Sequence, residues 1–238
     1  MKVLCSVVCG AVAVSCLSVA PVSAADLTSP APEAVLVAPV ADKVILTETR
    51  RTGAWAVALY GGNWTNSTLP GFPVNLVTGK LTFEDAQIFS LIVNRRLIGF
   101  DLDIPGTRYR LNGFSLEAEG TLSKHTGLQD HVEATAGIAL RTGEIGLGSA
   151  LSMNMAWTNG FSYAFEQPKW ETGPNGIHGV DSRHLQYFMA FETAFTPTAW
   201  KNLSAFVRLH HRSGIYGVIS PRTTGSNFVG GGVRYTFD

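Results

Sequence analysis

Two residues near the C-terminal end of the 238-residue chain have types and spacing suited to nucleophilic chemistry. They are His211 and Ser213, in the stretch Leu203 to Gly217, which reads LSAFVRLHHRSGIYG. An imidazole can take the proton of a hydroxyl, and the resulting alkoxide can attack an ester carbonyl. For that the two must share a face. In a β-strand alternate side chains point to opposite faces, so Ala205, Val207, Leu209, His211 and Ser213 lie on one side. Phe206, Arg208, His210 and Arg212 lie on the other. One face is therefore apolar until it ends in His and Ser, and the other carries charge.

The elements that position this pair begin with an export signal. Residues 1–24 hold a single Lys2, an apolar run from Val3 to about Val14, and the small-x-small site Val22-Ser23-Ala24. That is the pattern of a cleaved secretory signal peptide. The segment Ala13-Val14-Ser15-Cys16 matches a lipoprotein cleavage box less well, because Ala is a poor residue at its first position. Cys5, Cys9 and Cys16 all fall inside the signal. The mature chain thus has no thiol, which excludes cysteine catalysis, disulfides and Cys-based metal sites. The six His are scattered apart from 210 and 211 and show no zinc-site spacing, so neither a metal nor a cofactor is expected. The near-neutral charge balance gives no basic surface for nucleic acid. No apolar run after the signal approaches the ~20 residues of a membrane helix. Residues 25–52, with Pro30, Pro32 and Pro39 and no clear period, read as a Pro/Ala/Val-rich lead-in.

Residues 53–238 form the body. From Gly53 onward the pattern has period two, interrupted by turn signals. It predicts strands at Ala54–Asn63, Asp85–Arg95, Phe114–Lys124, His131–Arg141, Gly148 to about Phe165, Leu185–Phe195, the opening stretch, and Asn227–Phe237. Eight strands of roughly 9–11 residues with apolar-out, polar-in alternation are the signature of an all-β fold, an eight-stranded antiparallel transmembrane β-barrel of outer-membrane type. A soluble sandwich or periplasmic lipid-binding barrel is the alternative. It would turn the apolar faces inward and the charges outward. Three features oppose it. Glu117, Glu119, Glu133, Glu192, Arg141, Arg208 and Arg234 all sit opposite the apolar faces, where a barrel with a polar interior lets them neutralise one another. Aromatics recur near strand ends, as a membrane girdle requires. The chain also closes on an aromatic strand, one Asp short of its end. A barrel of eight strands is filled by its own side chains, so a porin is not expected.

With both termini in the periplasm, odd-numbered strands run outward. His211 and Ser213 then lie at the cell surface, facing lipid, at the depth where lipid A carries its ester-linked acyl chains. A polar pair there needs a partner or a purpose. The plainer alternative is that the strand has left the hydrocarbon by His211 and the pair sits among headgroups.

LHHRSGIYG, followed by a short loop and GSNFVGGGVRYTF, resembles the C-terminal strand pair of the lipid A 3-O-deacylases, the PagL-type acyloxyacyl hydrolases. The motif similarity covers about residues 203–237. What the resemblance implies is an outer-membrane barrel that hydrolyses an acyl ester of lipid A in the outer leaflet without a metal, with His211 as base and Ser213 as nucleophile. Two departures stand out. The family has Asn after its Ser, where this chain has Gly214, and it supplies a Glu about a dozen residues later, whereas Ser220 to Asn227 holds no carboxylate. Without that acid the His lacks the group that fixes its tautomer. Asp181, just before strand six, and Glu166, after strand five, are the candidate acids. Asp181 is preferred because strand six neighbours strand seven. Asn227 or Ser226 can orient the ring instead. The Gly214 amide is the candidate oxyanion donor, and Arg222 is a candidate for holding a lipid A phosphate.

Other features read more plainly. Lys124-His125 and Asp130-His131 bracket a short loop and are expected to be a solvated tip. The loop Asn159–His184 is expected to be a variable surface loop rather than a lid, and Gly230 to Gly232 to allow close packing inside the barrel. The sequence thus predicts an outer-membrane acyl-ester hydrolase, with a catalytically silent barrel of the same fold as the rival reading.

Overall fold

A computed structural model describes residues 54–107, 110–168, 170–171, 182–221 and 224–237. The expected signal peptide (1–24) and lead-in (25–52) lie outside the described residues, as do Asp181 and Arg222. Eight long strands follow one another: β1 (Trp55–Thr65), β2 (Phe83–Asp103), β3 (Arg110–Gly127), β4 (His131–Arg141), β5 (Leu151–Ala164), β6 (Leu185–Pro197), β7 (Leu203–Ser213) and β8 (Gly225–Phe237). Each pairs antiparallel with its sequence neighbours, and β8 pairs back onto β1, so the sheet closes into a barrel with no free edge. A two-residue ladder at Ile145–Gly146 extends β5 at one end. Among the described residues no helix is long and apolar enough to cross a membrane, and the strands supply the crossing.

Alternation decides which side faces lipid. Leu59 is 60% exposed and lies opposite Leu91 on β2 and Val233 on β8, both also exposed, so the register builds a continuous apolar belt outside. Inside, Arg208, Arg234, Glu119 and Glu192 are all under 5% exposed. A soluble barrel would reverse this, and that alternative is excluded. Trp55 and Phe237 stand opposite each other at the end carrying the termini, as girdle residues do. The connections 66–82, 165–184 and 214–224 at the opposite end are longer than 104–109, 142–150 and 198–202 at the termini end, with the tight 128–130 turn as the exception. That asymmetry belongs to outer-membrane barrels, which keep short periplasmic turns and longer surface loops.

The interior is filled rather than hollow. Glu192 accepts hydrogen bonds from Arg141 (3.1 Å), Arg208 (3.1 Å) and Arg234 (2.9 Å to Nη2). Glu117 accepts from Arg141, and Glu119 from Arg208, Asn94 and Thr158. These three carboxylates pair with the three guanidiniums, and the buried Arg96 interacts with Glu117 as a fourth, so each buried charge has an opposite one beside it. Gly230 and Gly232 do pack closely. A Cβ on Gly230 would sit 1.9 Å from the Gly61 carbonyl oxygen, and one on Gly232 would sit 2.2 Å from that of Leu59, so the β1–β8 seam requires glycine there.

Several strand bounds differ from those read in the sequence. β2 and β3, at 21 and 18 residues, run past the barrel rim as a hairpin, because their ladder continues beyond the last pairs made by β1 and β4. Ion pairs from Arg110 to Asp101 and Asp103 and a Phe100–Phe114 ring contact hold the extension together. β7 ends at Ser213 instead of Gly217, since the backbone turns left-handed at Ile215 (φ 46) and Tyr216 (φ 52) and enters a short 3-10 turn.

Candidate active site

The candidate pair stands on the outer face of β7 at the end opposite the termini. His211 lies between Met189 on β6 and Asn227 on β8, and Ser213 between Tyr187 and Gly225. Both are half-buried, in contrast to Val207 on the same face, which is 53% exposed to the surroundings. The cover comes from the first long loop. Ser67, Leu69 and Pro70 of that loop, with Trp64 at the end of β1, line one side of a groove of about 550 Å3, and His211, Ser213 and Tyr216 line the other.

Asn227 fixes the orientation of the ring. Its Nδ2 donates to the Ser67 carbonyl at 2.7 Å, and a carbonyl can only accept, so the amide oxygen must point the other way. That oxygen lies 2.7 Å from His211 Nδ1, which must therefore carry the proton and donate. Nε2 is left with its lone pair, the tautomer a general base needs. An uncharged amide holds the imidazole as an Asn does in a Cys-His-Asn triad, without the charge that stabilises an imidazolium.

The hydroxyl is held from the other side. Ser213 Oγ accepts a hydrogen bond from the Ile215 amide at 3.0 Å, and among the described residues no hydrogen bond joins it to His211. Ile215 and Tyr216, immediately after, are the only two non-glycine residues with positive φ among those described, and Ile215 is β-branched. Left-handed backbone at such a residue costs on the order of 1–3 kcal/mol and marks a segment that the surroundings force into shape. Gly214 packs against the next turn, where a Cβ would meet the Ser220 carbonyl oxygen at 2.2 Å. Gly225, opposite Ser213, leaves the serine open on that flank.

Of the residues singled out in the sequence, the structure brings together His211, Ser213 and Asn227. The Ser226 side chain points into the lumen and donates to Glu171, and only its backbone bonds the His211 ring. Glu166 accepts from the Val132 amide at the start of β4, which β5 and β6 separate from β7, and is held away from His211. Asp181 and Arg222 lie outside the described residues. Sequence reasoning missed Ser67 and the Ile215 amide. Neither carries a motif, since one acts through its carbonyl from a distant loop and the other through its backbone N–H.

One expectation away from this site is corrected. His125 and His131 are not a solvated tip but are 0% and 2% exposed, their rings stacked 4.1 Å apart inside the barrel. The alternation simply continues through the hairpin, because Gly127 (φ +81) lets a three-residue loop, 128–130, reverse the chain. Together with Glu133 they also form a cluster of metal-ligating side chains that no local spacing announced.

Closed strands, a lipid-facing apolar belt and an ion-filled lumen define an outer-membrane β-barrel. No protein-family model matches the chain, and no curated protein sequence does. Among solved structures it is similar to the outer membrane enzyme PagL, at 12% identity and a TM-score of 0.44 over 76% of this chain and 98% of that one. It is also similar to neisserial surface protein A (NspA), at 14% identity and a TM-score of 0.44 over 78% of this chain and 97% of that one.

Proposed function

We propose that this barrel is an acyl-ester hydrolase of the outer leaflet, acting on lipid A or lipopolysaccharide. The observation that carries the reading is the chain of contacts from the Ser67 carbonyl through Asn227 to His211, which presents Nε2 as a base beside Ser213 on the lipid-facing side of a groove. In this reading Ser213 Oγ gives its proton to His211 Nε2 and attacks an ester carbonyl carbon. The C–O bond of the ester breaks as His211 returns the proton to the leaving sugar hydroxyl. Water, activated by the same imidazole, then attacks the acyl-serine, releasing a fatty acid and restoring Ser213. The amides of Gly214 and Ile215 are the candidates for stabilising the oxyanion. Export through a cleaved signal peptide at Ala24 and a separate lead-in at 25–52 belong to the same proposal, as does a phosphate contact from Arg222.

The test is mass spectrometry of lipid A from cells lacking the protein, cells making it, and cells making Ser213→Ala. Loss of one acyl chain in the second sample alone supports the reading. Identical lipid A in all three, with the barrel present in the outer membrane, removes it. The rival is a catalytically silent barrel. It is favoured by the neutral partner of His211 and by the Ser213 hydroxyl being engaged with Ile215 rather than with the imidazole.

A further inference from the structure

Deep in the surface-side half of the lumen lies a second cluster that the hydrolase reading does not use. His125 on β3 and His131 on β4 face each other across their hairpin, and Glu133 follows two residues along the same inward face. One ring nitrogen from each histidine and one carboxylate oxygen all lie within 4.8 Å of one another, and all three side chains are buried.

Two observations independent of that proximity point to a ligand. The first is hydrogen bonding. His125 Nε2 pairs with Glu133 at 2.7 Å, while among the described residues its Nδ1 and both ring nitrogens of His131 have no hydrogen-bond partner. Gln129, in the loop joining the two strands, is 1% exposed, and its amide nitrogen and oxygen are both unpartnered. Buried polar atoms are nearly always satisfied, so five orphans in one hairpin call for an explanation. A histidine that gives one ring N–H to a carboxylate and keeps its other nitrogen as a lone pair is also the usual arrangement of a metal ligand and its supporting group. The second is charge. The buried carboxylates of this half, Glu133 and Glu171, face one guanidinium, that of Arg212, with the imidazoles of His125 (2.7 Å) and His210 (3.2 Å) on Glu133. The half nearer the termini holds four buried guanidiniums, those of Arg96, Arg141, Arg208 and Arg234, against Glu117, Glu119 and Glu192.

We infer that the His125, His131 and Glu133 cluster binds a divalent transition-metal cation of the zinc class. Imidazole and carboxylate suit such ions, with bonds of about 2.0–2.2 Å that place tetrahedral ligand atoms roughly 3.4 Å apart. Closing from 4.8 Å takes side-chain rotation of about an ångström, which unstacks the two rings. The cation would join β3 to β4 at their surface end. The site lies inside the barrel, while the proposed hydrolytic pair is outside it, so the two stand or fall separately.

The experiment uses the full chain refolded in detergent and stripped of metal, titrated with Co2+ and, separately, Zn2+. Expected are visible d–d absorption bands from Co2+ saturating at one ion per chain, a rise in unfolding temperature with Zn2+, and at least about tenfold weaker binding in His131→Ala and His125→Ala. Ser213→Ala and His211→Ala should bind like the unaltered protein. Absence of saturable bands from the unaltered chain overturns the inference, as does unchanged binding in the folded His131→Ala protein or a loss of binding in His211→Ala alone. If His131→Ala does not fold, His131→Gln, which keeps volume and polarity, replaces it under the same criteria.

Discussion

The lumen makes a quantitative demand on Glu192. Its two oxygens take hydrogen bonds from three guanidiniums, those of Arg141, Arg208 and Arg234. Glu192→Gln keeps the shape, removes the charge and turns one acceptor into a donor facing arginine N–H groups. At an effective dielectric near 20, each close pair is worth about 4 kcal/mol before relaxation. Glu117 and Glu119 stay to share the load, so the net loss should fall to about 3–5 kcal/mol, as expected when one partner of a buried ion network is removed. Against a typical folding free energy of about 5–15 kcal/mol, that is a large fraction. Urea unfolding in lipid vesicles, followed by tryptophan fluorescence, measures it. Pairing Glu192→Gln with Arg234→Gln restores neutrality, and the double variant should be more stable than the sum of the single losses by at least about 1 kcal/mol. A single variant within about 1 kcal/mol of wild type, or strictly additive losses, would show that the lumen does not act as one balanced network.

Three further outcomes follow from the same geometry. Leu59→Arg puts a cation in the middle of the lipid-facing belt and should cost about 2–4 kcal/mol in vesicle unfolding, an effect that a permuted or soluble arrangement would not give. Gly230→Ala, whose methyl would collide with the Gly61 carbonyl, should cost about 1–3 kcal/mol or more, while Gly231→Ala, with 3.4 Å to its nearest neighbour on the outer face, should stay within about 1 kcal/mol. Equal effects at the two positions would refute the seam argument. On the hydrolase reading, Asn227→Ala removes the ring's side-chain partner and should lower turnover of lipid A about tenfold, the kinetic equivalent of about 1.4 kcal/mol, with little change in KM. A positioning role predicts that split, and a purely structural one predicts a parallel fall in the amount of folded barrel.

Much of this was legible before any coordinates. Period-two alternation placed Arg208, Arg234 and Glu119 inside and His211 with Ser213 outside, because side-chain direction in a strand depends only on parity. Strand ends were less legible. The stop at Ser213 depends on left-handed backbone at Ile215 and Tyr216, two residues whose types favour neither turn nor that conformation. The β2–β3 hairpin runs on past its neighbours because its own cross-strand pairs sustain it, which no hydrophobic period encodes. Contacts between distant parts of the chain were hidden altogether. Asn227 could be proposed as an orienting group from its nearness to strand seven. Its authority over the His211 tautomer, though, comes from the Ser67 carbonyl, 160 residues away. His125 and His131 were read as loop flanks and Glu133 as an inward charge, and their convergence went unseen because it is a matter of register across the hairpin, not of spacing along it.

The salt-bridged filling of the lumen also bears on the cell that carries this protein. A cylinder plugged at mid-height by interlocked guanidiniums and carboxylates is a solid post rather than a pipe. Inserted in quantity into the bacterial envelope, it offers no route for nutrients, dyes or antibiotics, and a planar bilayer studded with it should pass no more current than the bare lipid.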